Sequence, residues 1–382
     1  MLSRFTKLTL GAAFAACVCC PVCTAVEGTS DIEDPVQRAS ELRMAAEKGF
    51  AWSQYFLGVC YRDGTGVAKD DVQAVLWFRK AAEQGHADAQ YNLGFCYHDG
   101  TGVQRDDVQA VLWFQKAANQ EDVKAQSILG FFYKYGVGVP KDDALAVTWF
   151  RKAADQGHPD AQYNLGMCYH DGVGVPKDDV LAVNWLSKAA DQGHANAQYN
   201  LGFCYHDGTG VAKDDVQAVA WFRKAADQGD AKAGDIIGYF YKYGVGVSKD
   251  GGQAVTWFRK AADREHANAQ YNLGMCYREG VGVSRSDVQA VKWLRKAADR
   301  GHALAQYELG CSYRDGVGAP KDGVMAYMWF NLSAAQDGDT KLSAKSRDDV
   351  AKSLTPVEIA EAQRLSREWK PIATTQIEPQ LP

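Results

Sequence analysis

The sequence predicts an all-α protein in which pairs of helices stack into a solenoid. The first observation is a period of 36 residues over most of the 382-residue chain, and a period between about 20 and 50 residues indicates a repeat architecture. The second is that the apolar residues inside each repeat follow helical spacing. The period is visible in eight tryptophans at equal intervals: Trp77, Trp113, Trp149, Trp185, Trp221, Trp257, Trp293 and Trp329.

The first 25 residues differ from the repeats and predict a signal peptide, residues 1–25. Arg4 and Lys7 precede an uncharged apolar run, and small residues follow it as far as Ala25. This is the layout of a secretory signal, and the apolar run is too short for a comfortable transmembrane helix. We therefore expect no transmembrane span and an exported protein that is periplasmic or secreted.

A second form of processing is open for the same leader. Residues 14–17, FAAC, resemble an imperfect bacterial lipobox, in which Cys17 would be lipidated and become the new N-terminus. The aliphatic residue that usually stands three positions before the cysteine is replaced by Phe14. A lipid anchor at Cys17 is thus the alternative to simple cleavage after Ala25.

Each repeat is predicted to hold two helices, here called helix A and helix B. In the fifth repeat, Ala197, Leu201, Cys204 and Tyr205 give helix A an apolar face, and a glycine at position 208 suits its C-terminus. Helix B is expected to begin at Asp214, with Gln217 completing a capping box. Its predicted buried stripe consists of Ala218, Trp221, Phe222 and Ala225.

The connection between the two helices contains a glycine pair that resembles part of a phosphate-binding loop. The stretch DGTGVAKDD, residues 207–215, recurs in variants in every repeat, and thirty of the 37 glycines occupy four positions of the repeat. Nucleotide-binding loops follow a strand, whereas no strand pattern precedes these glycines, and GxxxxGK[ST] does not occur. The pair is therefore interpreted as a helix–helix connection, and no cofactor is expected.

The pattern AQYNLGFCYHDGTGVAKDDVQAVAWFRKAADQG resembles the Sel1-like repeat, a relative of the tetratricopeptide repeat. The resemblance covers about three quarters of the chain and implies antiparallel helix pairs stacked into a right-handed superhelix. It also implies a non-catalytic scaffold or adaptor that binds another protein. Some cysteine-rich Sel1-like proteins are associated with β-lactam binding or hydrolysis, so a cell-wall-related enzyme is the alternative. The chain lacks GxSxG, SxxK and KTG, which disfavours that alternative.

The repeats predict the domain boundaries. Residues 26–49 would form an N-terminal cap and partial repeat, residues 50–336 eight repeats, and residues 337–370 a C-terminal helical cap. Residues 371–382 are expected to be a disordered tail. The cap helix is predicted from Thr355, Pro356 and Glu358, which suit its first positions, and its apolar residues would cover the last repeat: Ile359, Ala362, Leu365 and Trp369.

One face of helix A supplies the candidate binding residues. In the tetratricopeptide relatives this face lines a concave groove, so the resemblance makes its side chains candidates for contact with a protein partner. The other interpretation is packing against helix B of a neighbouring repeat. The candidates are Tyr91, Phe95 and His98; Tyr163, Met167 and His170; Tyr199, Phe203 and His206; and Tyr271, Met275 and Arg278.

The repeats also show a longer period of 108 residues. The third repeat, from Val123, is most similar to the sixth, from Ala231, and the first and second repeats align with the fourth and fifth. Duplication of a three-repeat block explains this pattern. Surface chemistry should therefore recur at every third repeat, which suits an extended or multivalent partner.

Cysteine, histidine and charge exclude several other classes of site. Cysteines at the same position of stacked helices lie too far apart for a disulfide, since neighbouring axes are about 8–10 Å apart, so a core role is expected. The histidines of the inter-repeat loops are expected to be caps or surface residues, and without HExxH or a histidine–cysteine cluster no metal site is predicted. The net charge of −5 is mild and well mixed, unlike that of a nucleic-acid-binding protein.

Overall fold

A computed structural model describes residues 34–336 and 341–372 of the chain. The predicted signal peptide and Cys17 lie outside these residues, as does the chain after Ile372. Ile372, which the sequence placed in the disordered tail, donates its backbone N–H to the carbonyl of Asp299 at 2.8 Å. This hydrogen bond extends the ordered chain to that residue.

The described residues form nineteen α-helices and contain no strand. Helices of even number from α2 to α16 are helix A of successive repeats, and those of odd number from α3 to α17 are helix B. The helices are α1 (Pro35–Glu47), α2 (Ala51–Asp63), α3 (Asp71–Glu83), α4 (Ala87–Asp99), α5 (Asp107–Ala118), α6 (Val123–Tyr135), α7 (Asp143–Asp155), α8 (Pro159–Asp171), α9 (Asp179–Asp191), α10 (Ala195–Asp207), α11 (Asp215–Asp227), α12 (Ala231–Tyr243), α13 (Gly251–Ala262), α14 (Ala267–Glu279), α15 (Asp287–Asp299), α16 (Ala303–Asp315), α17 (Gly323–Ala334), α18 (Leu342–Ala351) and α19 (Pro356–Glu368).

The helices form two compact bodies, residues 34–120 with α1 to α5 and residues 121–372 with α6 to α19. Within each body every repeat helix packs against the next one in sequence, and in the second body α18 and α19 both pack against α17. Short connections make successive helices antiparallel. The all-α solenoid of stacked helix pairs predicted from the sequence is therefore confirmed.

Helix B of the fifth repeat begins at the predicted cap. The carboxylate of Asp214 accepts hydrogen bonds from the backbone N–H groups of Val216 and Gln217, both at 3.0 Å. Phe222 is fully buried, with the alanines on either side of it along the helix. Trp221, expected in the buried stripe, is only partly buried. The Nζ atom of Lys224 lies 3.6 Å from its ring centroid.

The glycine pair connects the two helices, as the sequence indicated. Gly208 has φ +75°, and its N–H donates to the carbonyl of Cys204 at 3.0 Å, which ends α10. Gly210 lies against the start of the preceding helix B, where a Cβ would stand 2.0 Å from the carbonyl oxygen of Asp179. The first glycine thus supplies a left-handed helix end and the second a close backbone contact between repeats.

A buried glutamine joins three helices in most repeats. In the fifth repeat the Gln198 amide nitrogen donates to the Ala190 carbonyl at the end of α9 (3.0 Å), and its oxygen accepts from Gln228 at the end of α11 (2.8 Å). The sequence analysis missed this residue, although glutamine recurs there within an apolar pattern. The same pair of hydrogen bonds is made by Gln54, Gln90, Gln162 and Gln306.

The glutamine series is interrupted in the sixth repeat. Gly234 stands where the other repeats have the buried glutamine, and Arg264 stands where its partner would be. In the seventh repeat Arg300 replaces the partner, and Gln270 keeps its bond to the Ala262 carbonyl at 3.2 Å. Its Oε1 atom is buried and has no hydrogen-bond partner among the described residues.

The C-terminal helix covers the last repeat as predicted. Thr355 and Glu358 form a reciprocal capping box at its start. Ala362 is fully buried against the core of α17, and Trp369 packs edge to face on Trp329 with ring centroids 6.4 Å apart. The structure adds α18, a short helix that the sequence analysis did not distinguish within the cap.

A glycine in the middle of helix A is required by close packing, and its replacement should destabilise the protein. A methyl group at Gly202 would lie 2.7 Å from Cε1 of the buried Phe222. We expect Gly202→Ala to lower the free energy of unfolding by about 1–3 kcal/mol, because the ring must shift. Urea unfolding followed by circular dichroism measures the change.

Gly252→Ala is the matched control for this prediction. Gly252 lies in the first turn of α13, has an ordinary φ and faces only Asp250, 3.3 Å from the added carbon. Alanine there should be neutral or stabilising by up to about 1 kcal/mol. Equal free energies of unfolding for the two variants would show that the close contact between Phe222 and the helix backbone at Gly202 does not determine the stability of the protein.

Candidate functional site: the helix-A face

The helix-A face of a repeat is the set of side chains at the positions of Tyr199, Phe203 and His206 in its even-numbered helix. These positions are three and four residues apart, so they lie on one side of the helix. The side chains are partly buried in α4, α8, α10 and α14, the four helices that carry the predicted candidates. Their contacts decide what remains available to a partner.

The aromatic residues of this face pack on helix B of their own repeat. The Tyr199 and Phe203 rings are edge to face at 5.1 Å, and both approach the buried Phe222, at 5.8 and 5.0 Å. Tyr91 and Phe95 repeat this arrangement around Phe114. The candidates thus share in the core, although the helix B involved belongs to the same repeat and not to a neighbour.

The tyrosines of the fourth and seventh repeats contact the following repeat instead. Tyr163 stacks on His194 with centroids 4.6 Å apart, and Tyr271 stacks on His302 at 4.8 Å. Burial raises the pKa of both tyrosines, so their hydroxyl groups stay protonated at neutral pH. Met167 and Met275 fill the adjoining space at the edge of the next apolar cluster.

The histidines of this face bind the first carboxylate of helix B. Nδ1 lies 2.6, 3.0 and 2.5 Å from an Asp Oδ1 atom in the pairs His98–Asp107, His170–Asp179 and His206–Asp215. Although burial opposes it, hydrogen bonds from Arg105 and His98 lower the pKa of the Asp107 carboxyl. These pairs fasten the end of helix A to the start of helix B.

Arg278 has a different role from the histidines it replaces. Its guanidinium forms an ion pair with Glu308 and donates to the Ser312 hydroxyl at 2.7 Å, so it links α14 to α16 of the next repeat. Within the described ranges, no three histidine, cysteine, aspartate or glutamate side chains are grouped as a metal site requires. The polar members of the face are thus engaged in fastening helices to one another.

The cysteines are core residues of low reactivity. All six in the described ranges are free thiols, and four are buried. Burial raises the pKa of Cys96, Cys204 and Cys276 to about 11. Because the thiolate is the reactive form, these thiols are poor nucleophiles at neutral pH. The predicted core role is confirmed.

The loop histidines are helix caps, as the sequence indicated. Nδ1 of His302 accepts from the backbone N–H of Ala305 at 3.1 Å, and His86 caps α4 in the same way. Asp122 and Asp230 take this position in the third and sixth repeats. Burial lowers the pKa of four of the capping histidines: His86, His158, His266 and His302.

These caps predict a loss of stability in mild acid. The histidine pKa is lower in the folded protein than in the unfolded chain, so the unfolded chain binds protons first as pH falls. The stabilisation is complete above the unfolded value of about 6.5 and is lost as pH falls from there through the folded pKa. The melting temperature should therefore decrease between about pH 7 and pH 5.

Replacement of these four histidines by asparagine isolates their contribution. Asparagine is a good N-cap residue without a titratable ring, so the variant should fold and show a flatter dependence of melting temperature on pH. His98, His170 and His206 remain in both proteins as an internal control. An unchanged slope in the variant would show that the caps do not carry the pH dependence.

The candidates predicted from the sequence left out the aromatic residues of helix A in the third and sixth repeats, some of which lie one position beyond the helix-A face. Here α6 carries Phe131 and Tyr135, and α12 carries Tyr239 and Tyr243. Tyrosine occupies the last helical position, which is aspartate or glutamate in the other helix A segments. The 108-residue period could have predicted these aromatic residues, because it distinguishes the third and sixth repeats from the others.

Comparison with known proteins agrees with this architecture. The chain matches the Sel1 repeat family model at residues 53–86, 87–122, 123–158, 159–194, 195–230, 235–266, 267–302 and 303–338. Among solved structures it is similar to a Sel1 repeat protein from Oxalobacter formigenes, with 33% identity, coverage of 84% of this chain and 95% of that one, and a TM-score of 0.66.

A second solved structure is a protective antigen present in uropathogenic Escherichia coli strains, displaying an SLR fold. It is 34% identical over 88% of this chain and 80% of that one, with a TM-score of 0.55. Among curated proteins none matches the chain. The family match across all eight repeats, together with the stacked helix pairs, shows that the chain belongs to the Sel1 repeat family.

Proposed function

We propose that this protein is a non-catalytic scaffold or adaptor that binds another protein along the helix-A face. Sel1 repeats are a fold typical of protein–protein interaction scaffolds. The observation that carries the proposal is that the residues of this face vary from repeat to repeat, whereas the core residues beside them stay nearly constant. The core positions of Leu201 and Gly202 hold leucine or isoleucine and glycine in every repeat, whereas the position of Phe203 is occupied by Val59, Phe95, Phe131, Met167, Tyr239, Met275 and Cys311.

The chemistry of the face supports protein binding. Partly exposed aromatic and methionine side chains are enriched at protein interfaces, where they bury large apolar areas. The groups that would be suspected of catalysis have structural roles. Burial raises the pKa of three cysteines to about 11, and three of the aspartates at the start of helix B are hydrogen-bonded to histidine. Binding without chemistry is the function that these groups favour.

Two methionines allow the proposal to be tested with little damage to the fold. We expect Met167→Gln with Met275→Gln to weaken capture of host proteins by crosslinking at least about tenfold, equivalent to about 1.4 kcal/mol of binding free energy. Glutamine preserves the length of the side chain and removes its apolar character. Tyr199 and Phe203 are less suitable, because their removal exposes Phe222.

Leu112→Gln is the matched control, since Leu112 is 49% exposed on helix B of the second repeat. Its capture profile should equal that of the unaltered protein, and all three proteins should have the same circular dichroism and melting temperature. If host proteins are still captured by the double methionine variant but no longer by the Leu112→Gln control, the binding surface lies on helix B.

The proposal places the protein outside the cytoplasm, in the periplasm or secreted. Its support is the leader, with Arg4 and Lys7 before an apolar run. Among the described helices none has the length and apolar character needed to cross a bilayer. N-terminal analysis of the protein from its host should find Val26 first, or a lipidated Cys17 in the alternative. An intact leader on cytoplasmic protein would contradict export.

A further inference from the structure

Exposed aromatic side chains are concentrated at two points of the structure. Among the described residues, four aromatic side chains are strongly exposed: Phe50, Tyr135, Tyr239 and Tyr243. Three of the four lie on α6 and α12, which are helix A of the third and sixth repeats. Both helices belong to the second body, and equivalent residues are 108 positions apart.

Each of these helices presents a pair of rings, here called an aromatic pad. Phe131 and Tyr135 form the first pad, with ring centroids 4.5 Å apart and planes at 47°. Tyr239 and Tyr243 form the second, at 4.4 Å and 46°. The two pads are alike in shape, and each is a tilted pair. Such a tilted pair offers an apolar notch for one side chain of a partner.

The surroundings of the pads are basic. Lys124 and Lys134 lie on the same side of α6 as the first pad, and Lys232 and Lys242 take these positions in α12. The position of Lys134 and Lys242 holds arginine or histidine in every other repeat. The position of Lys124 and Lys232, by contrast, holds aspartate, asparagine, tryptophan or leucine in the other repeats, and the last helical position, tyrosine in the pads, holds aspartate or glutamate there. The two pads therefore differ from helix A of the other repeats by an added lysine near the start of the helix and by a tyrosine in place of a carboxylate at its end.

Nearby carboxylates neutralise only part of this charge. Lys242 is paired with Glu279 at 2.9 Å, whereas Lys124 and Lys232 are exposed. The Asp230 carboxylate caps α12 through two backbone N–H groups, and Asp235 accepts a hydrogen bond from Asn272 at 2.8 Å, so neither forms an ion pair with Lys232 within the described residues. Exposed lysines beside an apolar notch complement a segment with carboxylates next to an apolar side chain.

We propose that the two pads dock a single partner protein that presents two copies of an acidic segment, each with one apolar anchor. This inference rests on the proposed function and specifies the partner's chemistry. The pads are three repeats apart, and α6 contacts α8 directly. With helix axes about 8–10 Å apart, three such steps place the pads about 25–30 Å from each other. The partner must offer its two anchors at that spacing.

A random peptide library displayed on phage tests the chemistry of the partner. Selection on the chain from residue 26 onward should enrich peptides that combine Asp or Glu with an apolar anchor. Enrichment should be lost on the variant Tyr135→Ser, Tyr239→Ser, Tyr243→Ser, whose altered side chains are at least 49% exposed and cost the fold little. Phe50→Ser, at 47% exposure outside the pads, is the matched control and should select the same peptides.

The selected peptide in tandem tests the spacing. Two copies joined by about 30 Gly/Ser residues span about 30 Å on average and should bind about 10²-fold more tightly than one copy. A linker of about 5 residues reaches at most about 18 Å and should give no gain. Either Tyr135→Ser alone or Tyr239→Ser with Tyr243→Ser should reduce the tandem peptide to the affinity of a single copy.

The other outcomes overturn the inference in distinguishable ways. Peptides that still bind the triple-serine variant but are lost with Met167→Gln and Met275→Gln would reject the pads and leave the proposed function standing. A tandem gain independent of linker length would reject two-point docking. Retention of polygalacturonate without any peptide would assign the pads to a glycan. No enrichment at all would reject docking of an acidic segment, and the proposed function would still be decided by the capture experiment with Met167→Gln and Met275→Gln.

Discussion

The buried glutamine of helix A is the interaction on which the geometry of the stack depends. An amide enclosed among apolar side chains must find both a donor and an acceptor, or its burial becomes unfavourable. Gln198 satisfies this requirement only if the ends of α9 and α11 are both in place. In the repeats that have the complete pair of hydrogen bonds, the same constraint fixes the spacing of the helices on either side of helix A. The helix-A face inherits its regularity from this spacing.

Local signals were sufficient to predict the helix pairs but not the state of the candidate site. The left-handed end at Gly208, the cap at Asp214 and the capping box at Thr355 depend on neighbours within a few residues, so the pattern contains them. Whether Tyr199 faces solvent or Phe222 depends on a residue 23 positions away. Such contacts form only when the helices pack against each other, so they cannot be predicted from the pattern of residue types.

The duplicated three-repeat block explains why equivalent positions in different repeats hold residues with different roles. Most positions of the third and sixth repeats keep the residues that stack the helices. A change on the helix-A face therefore leaves the stacking intact. Phe132 and Phe240 take the place of cysteine in the core of these two repeats and are buried, which shows that the core has adjusted to a larger residue there. The third and sixth repeats thus differ from the other repeats in the same way in both surface and core.

The missing glutamine at Gly234 makes the stack uneven along its length. In a solenoid, stability is close to a sum of repeat terms and nearest-neighbour interface terms. The junction between the fifth and sixth repeats lacks a buried amide hydrogen bond, a contribution of about 1 kcal/mol. Arg264 bridges this junction from an exposed position instead, by donating to the Gly229 carbonyl at 3.1 Å. Separating the third to fifth repeats from the repeats that follow them therefore breaks one buried hydrogen bond fewer than separation at a junction with the complete glutamine pair.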